Sequence, residues 1–392
     1  MSPSLRFPEF TGEWEKCVLG DYGKVVTGNT PPTKDIENYE NGTYLWASPA
    51  DLGTHKLISE TKTKLSSKGF TKTRPLSKGS VFVTCIGSTI GKTGMATREM
   101  STNQQINSIV VNENNDNEFV YYVVQSAFPH YLSSIAVQAV PIISKSSFEL
   151  LPSKRPSLQE QNKIGKFLSL LDERISTQHR LIEDLKKFKC AIVENVLNNR
   201  HPRMIRLGDI GSYIRGLTYS SNDVVEQNGT FIMRSNNIVN GCSLDYYNDV
   251  VSVNKRISKE QMLQNGDIII CMANGCSALV GKSSFYDGKC PRPITVGAFC
   301  GIYRSEEPIV KWLFQTNRYR RYIWNSLQGG NGAIANLNGE DILRMSFPIP
   351  DAPVKNNCVK LLTSVDFMIE NATSLCVLYT SQKEYLLRQM FI

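Results

Sequence analysis

Apolar and polar positions follow two alternating regimes along the chain. Short apolar runs such as Val81–Ile86 and Ile268–Met272 are bounded by glycine and polar clusters, the pattern of buried strands. Twice this gives way to a long helical stretch. From Leu158 to about Leu197 no proline occurs and Gly165 is the only glycine. Ile164, Leu168, Leu171, Ile175, Ile182, Leu185, Ile192 and Val196 recur there at steps of three, four or seven, with Gln178 and Lys189 in the missing steps. That spacing predicts a heptad seam on a rod of roughly 60 Å. The chain's end repeats it with Leu361, Leu362, Val365, Met368, Ala372, Leu375, Tyr379, Leu386 and Met390. Ile175 aligns with Ile369, Leu181 with Leu375, and Lys189 with Lys383.

The strand-rich parts repeat as well. Residues 17–30 and 205–218 share Leu19/Leu207, Gly20/Gly208, Asp21/Asp209, Gly23/Gly211, Gly28/Gly216 and Thr30/Thr218. Asn41-Gly-Thr-Tyr-Leu45 answers to Asn228-Gly-Thr-Phe-Ile232, and the Gly-Lys pairs 91–92 and 281–282 follow. Pro156 and Pro350 then precede the two helical stretches, because proline is tolerated at a helix start and not within it. A period near 190 residues is a tandem duplication rather than a solenoid. The expected fold is α+β, with two tandem α/β domains separated by two long antiparallel helices in a coiled coil with internal pseudo-two-fold symmetry. The expected division is domain one at 1–156, a central helix at 157–199, domain two at 200–350 and a C-terminal helix at 351–392. Such pairing would set the two domains at opposite ends of a rod. Ile164, Leu168, Leu171, Ile175 and Leu185 would face Leu361, Val365, Met368, Leu375 and Tyr379.

Candidate chemistry narrows the function by exclusion. Gly87-Ser-Thr-Ile-Gly-Lys-Thr93 imitates a phosphate-binding loop but has three residues between its glycines, where four are needed. Gly275–Ser283 has five, and Thr93–Thr97 after the first copy is a poor helix start. Ten cysteines form no C-x-x-C pair, which reads as buried free thiols in a reducing compartment. No metal site or Ser/His/Asp grouping can be assembled from four histidines. The methyltransferase tetrapeptide Asn/Asp-Pro-Pro-aromatic is absent, Asn29-Thr-Pro-Pro32 being interrupted by a threonine. Asp184-Leu-Lys186 lies mid-helix. No run of 18 or more uninterrupted apolar residues marks a membrane span, and Met1–Glu9 has no apolar signal core, so a cytoplasmic protein is expected.

The net charge is +8, with each long helix near +1 and the remainder in the strand-rich parts. An excess of positive charge there suits a polyanion. Amide side chains read adenine and arginine reads guanine in the major groove, while lysine and arginine hold phosphates. The candidates in the first repeat are Asn103, Gln104 and Gln105 as readers, Lys92 for phosphate, and Thr30 and Ser48 beside them. In the second they are Arg234, Asn236 and Asn237, with Arg215, Thr218, Lys282 and Arg292. Asn317-Arg-Tyr-Arg-Arg-Tyr322 contributes Arg318 and Arg321, and Gly329–Gly332 offers a close backbone approach.

Pro156-Ser-Leu-Gln-Glu-Gln-Asn-Lys-Ile164, leading into Phe167–Ile175, resembles the start of the central helix of type I restriction–modification specificity subunits. So do the Gly-x-Thr entry at Gly28–Thr30 and the strand running into Gly-Lys at Ile86–Lys92. The second repeat departs from the pattern, since Ala352–Cys358 lacks the Glu160-Gln161 pair. The resemblance implies two target-recognition domains, each reading half of a split double-stranded DNA site. It implies helices that act as spacer and as the dock for two methyltransferase subunits, which a restriction translocase can join. No catalysis and no cofactor would reside in this chain. S-adenosylmethionine would bind the methyltransferase partners, and ATP and Mg any restriction subunit. Two other classes remain open on residues alone: a coiled-coil scaffold with protein partners only, and a nucleotide-using enzyme built on the Gly-Lys loops.

Overall fold

The computed structural model describes residues 3–134, 142–197, 203–327 and 335–391. Two compact units result, one formed by 1–179 with 374–392 and the other by 180–373. Each long helix contributes to both units, so the helices are not set apart as separate modules. The central helix runs Leu158–Leu197 and the C-terminal helix Ala352–Met390.

In the first unit a five-stranded sheet has the order Gly23–Thr27, Ile106–Val111, Val81–Thr84, Thr93–Ala96, Leu57–Ile58. A three-stranded sheet joins Thr63–Leu65, Tyr44–Ala47 and Ser101–Thr102, and Glu15–Val18 pairs with Pro152–Arg155. In the second unit the order Ser212–Arg215, Cys300–Arg304, Ile268–Cys271, Ser283–Phe285 reproduces the first four strands of the larger sheet. Val251–Val253, Thr230–Met233 and Ile294–Val296 reproduce the smaller one, and Met204–Arg206 pairs with Ser346–Pro348. Val81–Thr84 and Ile268–Cys271 are buried on both faces, which explains why they read as unbroken apolar runs. Leu19 and Leu207, identical in the repeat, are both fully buried in their own cores. Asn41 and Asn228 both adopt positive φ before a glycine, so the repeat extends to backbone conformation.

The Gly-Lys segments are hairpin connections between antiparallel strands, not helix-opening loops. Gly91 and Gly281 have φ of +90° and +80°. A Cβ on Gly281 would meet Ile323 at 2.7 Å, and one on Gly91 would meet Phe128 at 3.1 Å. Glycine is needed there for its conformation and for a helix packed on the turn; the phosphate-loop alternative has no structural counterpart.

The start of the central helix is locked to the first unit. Arg6 Nε and Nη2 donate to Glu160 Oε1 and Oε2 at 2.6 and 2.7 Å, and Trp14 Nε1 donates to Oε1. Gln161 accepts from the Asp116 N–H and donates to Asn115 and the Pro156 carbonyl. The Glu-Gln pair is therefore a buried helix-start clamp. In the second unit, Lys355 near the start of the C-terminal helix pairs with Glu307 at 2.8 Å instead.

Both units place one aspartate between two lysines where the long helices meet. In the first, Asp172 of the central helix pairs with Lys383 of the C-terminal helix at 2.7 Å and with Lys56 at 3.6 Å. The Tyr122 hydroxyl donates to Asp172, and burial together with that carboxylate raises the phenol's pKa, keeping it a donor. In the second, Asp366 of the C-terminal helix pairs with Lys189 of the central helix and with Lys311, both at 2.7 Å, and accepts from Trp312 Nε1. Burial lowers the Lys311 pKa, and Asp366 opposes that shift. The lysines that interrupt both heptad patterns thus serve ion pairs, buried in the second unit and half-buried in the first, which fix the register of two helices.

Along the central helix Ile164 and Leu168 are buried, and Leu171, Ile175 and Leu185 are half-buried. The C-terminal helix requires a correction. Leu361, Met368 and Leu375 are 47%, 52% and 43% exposed. Its inward stripe steps by four and three through Cys358, Leu362, Val365, Ile369, Ala372, Cys376, Tyr379, Lys383, Leu386 and Met390. The three leucine and methionine positions sit one residue earlier, about 100° round the helix, beside Leu362, Ile369 and Cys376 of the inward register. This helix is also long and apolar enough to cross a membrane by length and composition. Its ion-paired Asp366 and Lys383, however, face protein partners. All ten cysteines are free, but only Cys85, Cys271, Cys300, Cys358 and Cys376 are buried, so half the thiols depart from the buried reading.

Asp172→Ala should destabilise the chain by about 1–3 kcal/mol, the usual consequence of leaving a largely desolvated charged group without its partner, measured as a shift in urea midpoint. Asp172→Leu combined with Lys383→Leu should recover most of the loss, because Lys56 retains Glu118 at 2.7 Å.

Candidate nucleic-acid interface

The candidate surface of the first unit begins at Gly28. A Cβ there would lie 2.2 Å from the carbonyl oxygens of Thr102 and Asn103, so only glycine lets the Gly28–Thr30 entry lie against the turn that follows Ser101–Thr102. The Asn29 N–H donates to the Thr102 carbonyl at 2.9 Å, and the Thr30 hydroxyl donates to the Gln104 side-chain carbonyl. The Cys85 N–H holds the Gln105 carbonyl at 2.7 Å. Burial pushes the Cys85 thiol up to about 12, so it stays protonated and is no nucleophile. Gln104 is exposed and Gln105 half-buried, its amide lying over Gly87 of the hairpin that carries Lys92. Lys92 is exposed and makes no ion pair among the described residues. Thr30, Gln104 and Gln105 thus share one rim, with the Lys92 hairpin adjoining it.

Two candidates of this unit are corrected. Asn103 is buried, its Oδ1 accepting from the Gln105 N–H at 3.0 Å and its Nδ2 donating to Gln105 Oε1 at 3.1 Å. It shapes the turn and offers no edge to a base. The Ser48 N–H and hydroxyl both donate to Asp51 Oδ2, at 2.9 and 2.7 Å, which makes Ser48 the cap of a short 3-10 turn.

Arg234–Asn237 is the counterpart of that capped turn and not of the glutamine turn. The Arg234 N–H donates to Asn237 Oδ1 at 2.9 Å, and Asn237 Nδ2 donates to the Asn248 carbonyl at 2.8 Å. At 1% exposure with both polar ends engaged, Asn237 is structural, contrary to its assignment as a reader. Arg234 pairs with Asp249 at 3.0 Å and exposed Asn236 donates to the same carboxylate. Thr218 is exposed, and its carbonyl accepts from Lys255 Nζ. Arg215 is exposed at the end of its strand, Lys282 is half-buried, and Arg292 stacks over Phe231 at 4.8 Å.

The arginine-rich helix Asn317–Leu327 packs under the second hairpin, where the Tyr319 hydroxyl donates to the Gly281 carbonyl at 2.8 Å. Arg318 is corrected: its Nε donates to the Ser346 carbonyl at 2.8 Å, which ties it to the scaffold. Arg321 is exposed. Gly329–Gly332 lies outside the described residues.

Sequence reasoning missed the true counterpart of the glutamine turn. The Leu217 N–H donates to the Val296 carbonyl as Asn29 does to Thr102, and the Cys300 N–H donates to Gly297 as Ile106 does to Asn103. Gly297-Ala298-Phe299 therefore occupies the place of Asn103-Gln104-Gln105. The signal was present as an offset of 194 residues, the one relating Lys189 to Lys383, but glycine, alanine and phenylalanine do not resemble readers.

The chain is thus a duplicated α+β unit with unlike outward turns on a common scaffold. The family model described as Type I restriction modification DNA specificity domain matches residues 11–187. The chain is 28% identical over 189 residues to the type I restriction enzyme MjaIX specificity subunit of Methanocaldococcus jannaschii, a match covering 47% of this chain and 43% of that protein. Less than half the length of that relative is therefore aligned. The MjaVIII specificity subunit of the same organism is 22% identical over 93% of this chain and 88% of its own. The crystal structure of the type I restriction-modification S subunit from M. genitalium shares the fold across 100% of this chain and 99% of that one, with TM-score 0.66 and 16% identity. The first part of the chain thus matches the type I DNA specificity domain family, and the fold as a whole is similar to that of a type I S subunit.

Arg318→Ala should lower thermal stability while leaving the salt dependence of duplex-DNA binding unchanged. Arg321→Ala should leave stability unchanged and reduce the slope of log affinity against log salt by about one. A titration series at several salt concentrations separates the two.

Proposed function

We propose that this chain is a non-catalytic, sequence-specific DNA-binding subunit that reads a bipartite, asymmetric duplex site and docks two methyltransferase subunits. The observation that carries this is the contrast within the duplication. The strand order and the backbone of the two turns match, while the outward side chains are amides in one unit and Ala298 and Phe299 in the other. A scaffold repeated so closely, yet unlike at its rims, suits two readers of different bases. The positive excess outside the helices suits the phosphate contacts that position such readers.

In this reading the long helices pair antiparallel as a coiled coil relating two target-recognition domains by pseudo-two-fold symmetry. They act as the spacer between half-sites and as the docking surface for the methyltransferases. A restriction translocase is a further partner of the assembly. S-adenosylmethionine belongs to the methyltransferases, and ATP and Mg to the translocase. The setting is the bacterial cytoplasm, where the DNA is.

Removing four residues around His179 and four around Cys376, which contact each other at 3.4 Å, shortens the pair by about 6 Å. The tolerated gap between half-sites should contract by one to two base pairs, read by mapping methylated adenines in cells carrying the variant. An unchanged gap would refute the spacer role. Exchanging residues 1–150 with those of a relative should alter one half-site only, and a change at both ends would refute independent reading.

A further inference from the structure

The turn Gly297–Cys300 presents a side chain of a kind the first unit lacks. The Phe299 carbonyl accepts from the N–H groups of both Met272 and Ala273, at 2.8 and 3.1 Å, and the Cys300 N–H closes the turn on Gly297 at 2.8 Å. A Cβ on Gly216 would lie 2.1 Å from the Gly297 carbonyl oxygen, so the Gly-x-Thr entry buttresses the turn from the other side. The backbone is thus held on both flanks, and the ring is held out: Phe299 is 67% exposed, between buried Met272 and buried Cys300. The Leu217–Gly297 bridge and the Ala273 N–H tie the turn to the segments that carry Thr218 and Asn274. The position is that of Gln105 in the first unit, where an amide stands on the same rim.

We infer that Phe299 is a specificity-determining residue that contacts the 5-methyl group of a thymine in the half-site read by the second unit. The inference rests on the DNA-reading function proposed above. A phenyl ring can neither donate nor accept in the donor–acceptor code of base edges, and the apolar feature the major groove offers is the thymine methyl. A rigid backbone under an exposed ring supplies such a contact without ordering a loop, because the turn is already fixed. The two rims then read by different chemistry: hydrogen bonding through Gln104 and Gln105 in the first unit, apolar contact through Phe299 in the second.

The test is selection of bound duplexes from a randomised library by the full-length chain, as wild type, Phe299→Ala and Phe299→Gln. The wild type should enrich a split sequence with a thymine at one position of one half. Replacing that thymine by uracil, which deletes only the methyl group, should weaken wild-type binding about fourfold. Phe299→Ala should bind the thymine and uracil duplexes equally, with the other half-site unchanged, and Phe299→Gln should shift the same position towards adenine. Thermal unfolding of both variants should match the wild type, since the ring is exposed. The inference is overturned if Phe299→Ala keeps the thymine-over-uracil preference, or if the selected half-site contains no thymine. It is also overturned if the variant weakens every duplex alike, as removal of an intercalating wedge would. Enrichment of no sequence by the wild type would instead overturn the DNA-reading function itself, an outcome distinct from these.

Discussion

A carboxylate held between two ammonium groups, taken largely out of water, is the interaction on which the remainder of the structure depends. Removing either aspartate alone leaves the lysine of the opposite helix, Lys383 or Lys189, without its carboxylate. Each demands one lysine from the opposite long helix and one from the strand-rich part of its own unit. The apolar stripe alone would permit the helices to slide by a heptad. A buried charge with a single opposite number does not, because every shifted register strands an ion. The two nodes differ in their hydrogen-bonding escort, Tyr122 in one and Trp312 in the other. They share the logic of one helix giving the acid and the other the base.

That logic reaches the rims through short chains of contacts. Asp172 holds Lys56, which lies just ahead of the strand Leu57–Ile58 at the edge of the larger sheet. Asp366 holds Lys311 and Trp312, which precede the helix Asn317–Leu327 and its hydroxyl contact with the Gly281 hairpin. The outward turns are therefore mounted on sheets whose attachment to the helices is ionic and specific rather than merely apolar.

Much of this was legible in the residues. Proline-free heptads announced both long helices, and the paired glycines announced the duplication, because close backbone approach leaves no other residue type available. Where the reading failed, the causes were local. On the C-terminal helix the large residues Leu361, Met368 and Leu375 drew the stripe one position away from Leu362, Ile369 and Cys376, which face inward. Asn103, Asn237 and Ser48 have the side chains of readers, yet their hydrogen bonds are consumed by turns and caps, a competition that composition cannot reveal. Phe299 was passed over for the opposite reason, since an isolated phenylalanine is ordinarily core.

The way the two turns are clamped carries an evolutionary consequence. The second turn is secured by main-chain hydrogen bonds and by Gly216, so Phe299 makes no hydrogen bond that holds it, whereas Gln105 in the first also accepts from Asn103. Substitution at 299 can accordingly be silent for folding. On the function proposed above, that turn is free to drift to a new specificity without selection on folding opposing it.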